Sequence, residues 1–168
     1  MKQTTDLRKV FGVILSYESE QNPSGPFEME MLVEPGAMSA IHIHPQQEET
    51  YEVLEGELEI NLNGSCRKAK AGDQVFIPPA SKHAFKNSAT QKARAINRHI
   101  PGLRTREYFE TLETLIKDGK VTGTSGFRNS IYLSLHTLKY ADVLKLLQPP
   151  EALLKAAAIM GKLLQYKI

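Results

Sequence analysis

The chain has 168 residues, 41% of them hydrophobic and 24% charged, with a formal net charge of +2. That length suits one domain with an appended subdomain. The near balance of charge excludes the basic field of a nucleic-acid binder and the acidic block of a disordered tail. Residues 1–102 carry 11 Lys/Arg against 13 Asp/Glu and residues 103–168 carry 10 against 6, so the composition changes there, although the basic residues of the second part do not cluster. Cys66 is the only cysteine, and a chain without an internal disulfide fits a reducing compartment. The apolar run at 10–15 is too short for a signal peptide, and no run of about 18 apolar residues is present to span a bilayer. A cytoplasmic protein without membrane or nucleic-acid partners is expected.

In chain order, residues 1–9 are polar and read as loose. Residues 11–17 have strand propensity, and the Pro- and Gly-containing segment 21–26 reads as a loop. Phe27, Met29, Met31 and Val33 alternate with Glu28, Glu30, Leu32 and Glu34, the period of a strand with one face inward. Further strands are expected over 38–44, 50–54 and 57–62. Asn63-Gly64 predicts a hairpin turn that returns 65–70 beside the preceding strand. Strands follow at 74–77, 83–87 and 92–100. Nine or ten short strands spaced by turns are the pattern of a sandwich or barrel. After Pro101-Gly102 the period becomes helical, with a first helix ending at Asp118-Gly119. Over 129–147, Ile131, Leu135 and Leu138 suit a helix while Ile131, Leu133 and Leu135 would also suit a strand, and the length of the segment favours a second helix. A third is opened by Pro149-Pro150-Glu151 and carries an apolar stripe of Leu153, Ala156, Ala157, Met160, Leu163 and Leu164.

The residues that carry chemistry lie in two stretches. His42 and His44 are two apart, which in a strand places both imidazoles on one face. Glu49 follows the turn-like Pro45-Gln46-Gln47, which can swing a carboxylate of the next strand toward the same point. The candidate for a fourth ligand is His83. Three imidazoles and one carboxylate suit Mn²⁺, Fe²⁺, Co²⁺, Ni²⁺ or Zn²⁺ and leave one or two positions for water or substrate. His99 reads as a hydrogen-bonded structural residue, and His136 is given no role. By strand parity Ala40, Tyr51 and Phe85 should line the cavity beside the ligands, with Met29, Met31 and Phe76 as walls.

The spacing Gly36, His42, His44, Glu49, Gly56 resembles the first motif of the cupin superfamily, and Gly72, Pro78, His83, Asn87 resembles the second. One departure is visible, since Ala80 stands where the second motif usually has glycine; it should affect the turn more than the metal. The resemblance implies a mainly β fold, a double-stranded β-helix or jelly-roll-like barrel over about 25–100, with His42, His44, Glu49 and His83 converging on one divalent metal. The chain then divides into a barrel with an N-terminal arm strand (1–102) and an α-helical extension (103–168) packed on the barrel or on a partner subunit. The resemblance also implies a homodimer. For function it implies a metal-dependent enzyme acting on a small molecule, an oxygenase, decarboxylase or isomerase, with no catalytic residue legible. The alternative is a non-catalytic small-molecule binding or sensing protein that uses the metal as an anchor.

Overall fold

The computed structural model describes residues 1–18 and 22–168. Its elements in chain order are β1 (Lys2–Asp6), α1 (Arg8–Phe11), β2 (Val13–Glu18), β3 (Phe27–Val33), β4 (His42–Ile43), β5 (Glu48–Glu55), β6 (Glu57–Leu62), β7 (Ser65–Lys70), β8 (Gln74–Ile77), β9 (His83–Lys86), β10 (Ala93–Ile100), α2 (Thr105–Lys117), α3 (Phe127–Lys139), β11 (Lys145–Leu146) and α4 (Glu151–Leu163). Two antiparallel sheets face each other, one ordered β1-β2-β3-β10-β5-β8 and the other β11-β4-β9-β6-β7. The expected β fold with helices after the strands is what forms.

Alternation builds the walls. In β3 Phe27, Met29, Met31 and Val33 are buried, and β10, which pairs with both β3 and β5, buries Ala93, Ala95, Asn97 and His99. The Asn63-Gly64 turn has φ of 52° and 89°, the positive values a tight hairpin needs, and β7 returns along β6 in register from Leu62↔Ser65. Exposed Arg67, Lys68 and Lys70 blunt β7, which lies at the edge of its sheet. Gly56 is fixed by space and conformation together: its φ is 72°, and an added Cβ would lie 2.8 Å from the carbonyl oxygen of Lys92.

Several local expectations change. Residues 2–6 are not loose, because β1 pairs with β2 and closes a buried hydrogen bond of 2.8 Å between the hydroxyls of Thr5 and Tyr17. Of the loop expected at 21–26, Gln21 lies outside the described residues. The strand expected over 38–44 shrinks to β4 plus a bridge between Met38 and Lys86. Phe76 is no cavity wall: β8 turns Val75 and Ile77 inward and leaves Phe76 53% exposed. The helix expected over 129–147 ends at Lys139, and the chain beyond it forms β11 against β4.

The last helix starts after Pro149-Pro150, with Glu151 bound to Lys155 at 2.7 Å, but its expected stripe faces the wrong way. Leu154, Ala158 and Gly161 are the buried residues, whereas Leu153, Met160, Leu163 and Leu164 are exposed. Small side chains decide this. A Cβ on Gly161 would sit 2.6 Å from a methyl of Ile131, so α4 approaches α3 only through its Ala/Gly face.

The helical extension is joined to the barrel by packing and hydrogen bonds. Leu112, Leu115, Ile116, Val121 and Tyr132 share one apolar core with barrel residues such as Leu15, Met31 and Tyr51. Gln47, fully buried, donates through Nε2 to the carbonyls of Pro101 (2.7 Å) and Gly102 (3.2 Å) and to Thr105 Oγ1 (2.9 Å). Glu113 accepts from the Asp6 backbone N–H at 2.7 Å, and Glu110 from Gln3 at 2.8 Å.

Candidate metal centre

Three backbone carbonyls aim the imidazoles. His42 sits on β4 and pairs in register with His83 on β9, so the two rings stand side by side with centroids 4.2 Å apart. Each ring is oriented through Nδ1 by a backbone carbonyl: His42 by Ala40 at 2.8 Å, His83 by Ser81 at 2.9 Å and His44 by Val143 at 2.6 Å. A donating Nδ1–H leaves the Nε2 lone pair free for a ligand, the arrangement metal-binding histidines use. Glu49 reaches the same point from β5, where it is 2% exposed.

The result is a compact group. One ligand atom each from His42, His44, Glu49 and His83 lies within 4.8 Å of the others, and all four residues are buried. His83 Nε2 is 2.7 Å and His44 Nε2 3.7 Å from Glu49 Oε2. Even so, His44 Nε2, His83 Nε2 and Glu49 Oε2 are buried without a properly directed hydrogen bond. Orphaned buried polar atoms are costly. Three that converge on one point fit a divalent cation, which satisfies them together. The group could hold one such ion, and its imidazole and carboxylate donors suit the first-row metals expected from the sequence.

Electrostatics prepares the ligands. Burial, helped by the neighbouring imidazoles, pushes His42 down to about 3, which keeps it neutral and able to coordinate. Burial also lowers His44. For Glu49 burial works in the opposite direction, but the surrounding histidines outweigh it and hold the carboxyl well below its usual range. His83 is raised: burial opposes this, and its contact with the Glu49 carboxylate prevails. Tyr51 is raised well above the usual phenol range by burial and by the charge of Glu49, so its hydroxyl stays protonated.

Asn97, which sequence reasoning did not single out, supports Glu49. Asn97 donates from Nδ2 to Glu49 Oε1 at 2.8 Å, and its Oδ1 accepts from His99 Nε2 at 2.7 Å. His99 is therefore hydrogen-bonded as expected, but it also lies 3.6 Å from Glu49 Oε1 and borders the cavity. The cue for Asn97 was its inward parity with Ala95 and His99 on β10. Val143, which orients His44 from the extension, left no cue, because only its backbone is used. Asn87, the last residue of the second motif, is a structural bracket: Nδ2 donates to the carbonyls of Val33 and Gln91 and Oδ1 accepts from Ala89 N–H. Ala80 has φ of 58°, the left-handed conformation for which glycine is suited, while its N–H holds the His44 carbonyl at 2.8 Å.

A cavity of about 330 Å³ opens in front of this group. Ala40, Tyr51 and Phe85 line it, as do Met29 and Met31. So do residues of the helical extension, including Tyr108, Leu112 and His136. His136, buried and bonded through Nε2 to the Tyr108 carbonyl at 2.9 Å, borders the cavity away from the four-residue group.

The fold and interior define a small β-barrel protein with an imidazole–carboxylate centre facing an apolar cavity. Within that barrel, residues 29–97 match the family model described as "Cupin domain". Among curated proteins, the chain is 34% identical over 65 residues to "Polyketide synthase CurC" of Streptomyces cyaneus, covering 39% of this chain and 42% of that protein. It is also 31% identical over 91 residues to "HTH-type transcriptional regulator PuuR" of Escherichia coli, covering 54% of this chain and 49% of that one. The chain thus spans less than half the length of these relatives. Among solved structures it is similar to an RmlC-like cupin from Shewanella frigidimarina (TM-score 0.52, 21% identity, 60% of this chain and 85% of that one). KdgF from Halomonas sp. is comparably similar (TM-score 0.52, 18% identity, 59% and 86%). Among the described residues, no helix is long and apolar enough to cross a membrane.

Proposed function

We propose that this protein is a cupin that binds one divalent metal through His42, His44, Glu49 and His83 and acts on a small molecule held in the adjoining cavity. The observation that carries the reading is the convergence on one point of three buried ligand atoms that lack a directed hydrogen bond. When bound, the ion supplies Lewis acidity to an oxygen donor of the ligand. The chain's own residues do the rest. The carbonyls of Ala40, Ser81 and Val143 fix the imidazole tautomers, and Asn97 holds Glu49. Tyr51 presents a protonated hydroxyl, and Phe85 and the methionines exclude water. Oxygenase, decarboxylase and isomerase chemistry are all compatible with such a centre. The similarity to a protein named as a polyketide synthase supports a small-molecule role.

A second reading, a sensor that binds its ligand without turnover, is favoured by the similarity to a transcriptional regulator. Elemental analysis of protein purified without added metal, followed by oxygen uptake against small diols, thiols and oxyacids, tests the first reading. Retained metal without turnover, together with a ligand-dependent rise in melting temperature, supports the second. Failure to take up any first-row metal on titration would sink both. In either reading we assign barrel (1–102) and extension (103–168) to one functional unit and the chain to a homodimer, which sedimentation velocity tests.

A further inference from the structure

The wall of the cavity is mostly apolar, with uncharged polar side chains such as Ser130, Ser134 and Thr137 among the apolar ones. Among the described residues no lysine or arginine lines it, and the one acid that does is Glu49, which belongs to the proposed metal centre. The barrel contributes Met29 and Met31, and the helical extension covers the other side with Phe109, Leu112 and Leu133. The extension's one titratable imidazole on this wall, His136, is neutral near pH 7, since burial pushes it down to about 4.

Three neutral imidazoles, one carboxylate and a divalent ion leave a single positive charge, enough to balance one ionised oxygen. A second anionic group on a ligand would lie against an apolar wall with no cation to compensate it, which is the expensive situation for a buried charge. The volume, about 330 Å³, corresponds to roughly ten waters at ~30 Å³ each, hence to a ligand on the order of ten to fifteen non-hydrogen atoms.

We infer that the cavity takes a neutral or singly ionised molecule, with an oxygen-chelating head at the metal centre and an apolar, ring-sized body against the helical extension. Phosphate esters and dicarboxylates are rejected for want of a cation in the wall. This rests on the metal reading above and adds to it the class of ligand, with the extension as the element that selects it.

The test is calorimetric titration of the metal-loaded full chain with tropolone, 4-isopropyltropolone and oxalate, with metal content measured after each titration. All three chelate through oxygen, but oxalate carries two charges and the isopropyl group adds only apolar surface. The expected order is isopropyltropolone tighter than tropolone by about tenfold or more, with oxalate weakest. In Leu133→Ala the preference for isopropyltropolone over tropolone falls severalfold. Because that preference is a ratio within one protein, it is readable even if the variant is less stable. Metal-loaded protein that binds oxalate as tightly as isopropyltropolone, or gains nothing from the isopropyl group, overturns the inference and leaves the metal reading standing. Protein that takes up no metal and binds none of the three overturns both.

Discussion

Replacing Asn97 with leucine tests whether the residues behind Glu49 prepare the centre. Asn97, Glu49 and His99 are each no more than 2% exposed, so bulk solvent does not reach a lost partner. The change removes the 2.8 Å donor to Glu49 Oε1 and the 2.7 Å acceptor of His99 Nε2. A hydrogen bond to a charged group contributes about 1.5–3 kcal/mol, and a stranded buried nitrogen costs about 1–3 kcal/mol. Burying leucine returns about 1–2 kcal/mol. The net expectation is a loss of about 3 kcal/mol in the metal-free protein, read by urea denaturation, and a 10–100-fold weakening of metal affinity, of the order seen when supporting partners of ligands are removed. Competition with a chromophoric chelator measures the second quantity. As a control, Asn97→Asp keeps an acceptor for His99 but sets a carboxylate against Glu49. Two such groups cannot both ionise at that distance, so this variant should become steeply pH-dependent. Stability within about 0.5 kcal/mol of the parent and unchanged metal affinity in Asn97→Leu would refute the idea that Asn97 orients Glu49.

The ligand assignment itself predicts that His44→Ala lowers metal content sharply while His136→Ala does not; equal content in the two variants, by elemental analysis, would sink it. Ala80→Gly should stabilise the protein by about 0.5–1 kcal/mol, because it relieves a left-handed alanine worth roughly 1–2 kcal/mol and returns part of that as chain entropy. Metal affinity should not change, and a thermal melt that is lower than the parent's contradicts the argument. His136 is neutral in the folded protein, depressed from 6.5 to about 4. The unfolded chain therefore binds more protons between those values, and stability falls as pH drops from about 6.5 to 4, by up to ~3 kcal/mol for this group. His136→Gln should flatten that part of the stability profile relative to the parent, and an unaltered slope would show that His136 does not contribute.

The sequence by itself determined much of the barrel and the site. Alternation in β3 and β10, the Asn63-Gly64 turn and the helical period after Gly102 are local signals, since each follows from which residues fit a pleat, a positive φ or a 3.6-residue repeat. The four proposed ligands were legible for the same reason: residues two apart on a strand share a face, and the two motifs hold their spacing. Ala80 was legible too, as the position where a side chain occupies a turn suited to glycine.

Tertiary structure decided what local pattern leaves open. α4 is apolar on more than one side, so periodicity could not choose its buried face; the close approach allowed by Ala158 and Gly161 against Ile131 chose it. Residues 140–147 were joined to a helix only by the length of their segment, but their backbone is taken by the barrel, with the Val143 carbonyl on His44 and β11 paired with β4. Such interactions use main-chain groups that every residue possesses, and so they leave no trace in residue type. For that reason the sequence pointed to a candidate metal site, while the closure of its cavity by the helical extension emerged only when segments about a hundred residues apart were brought together.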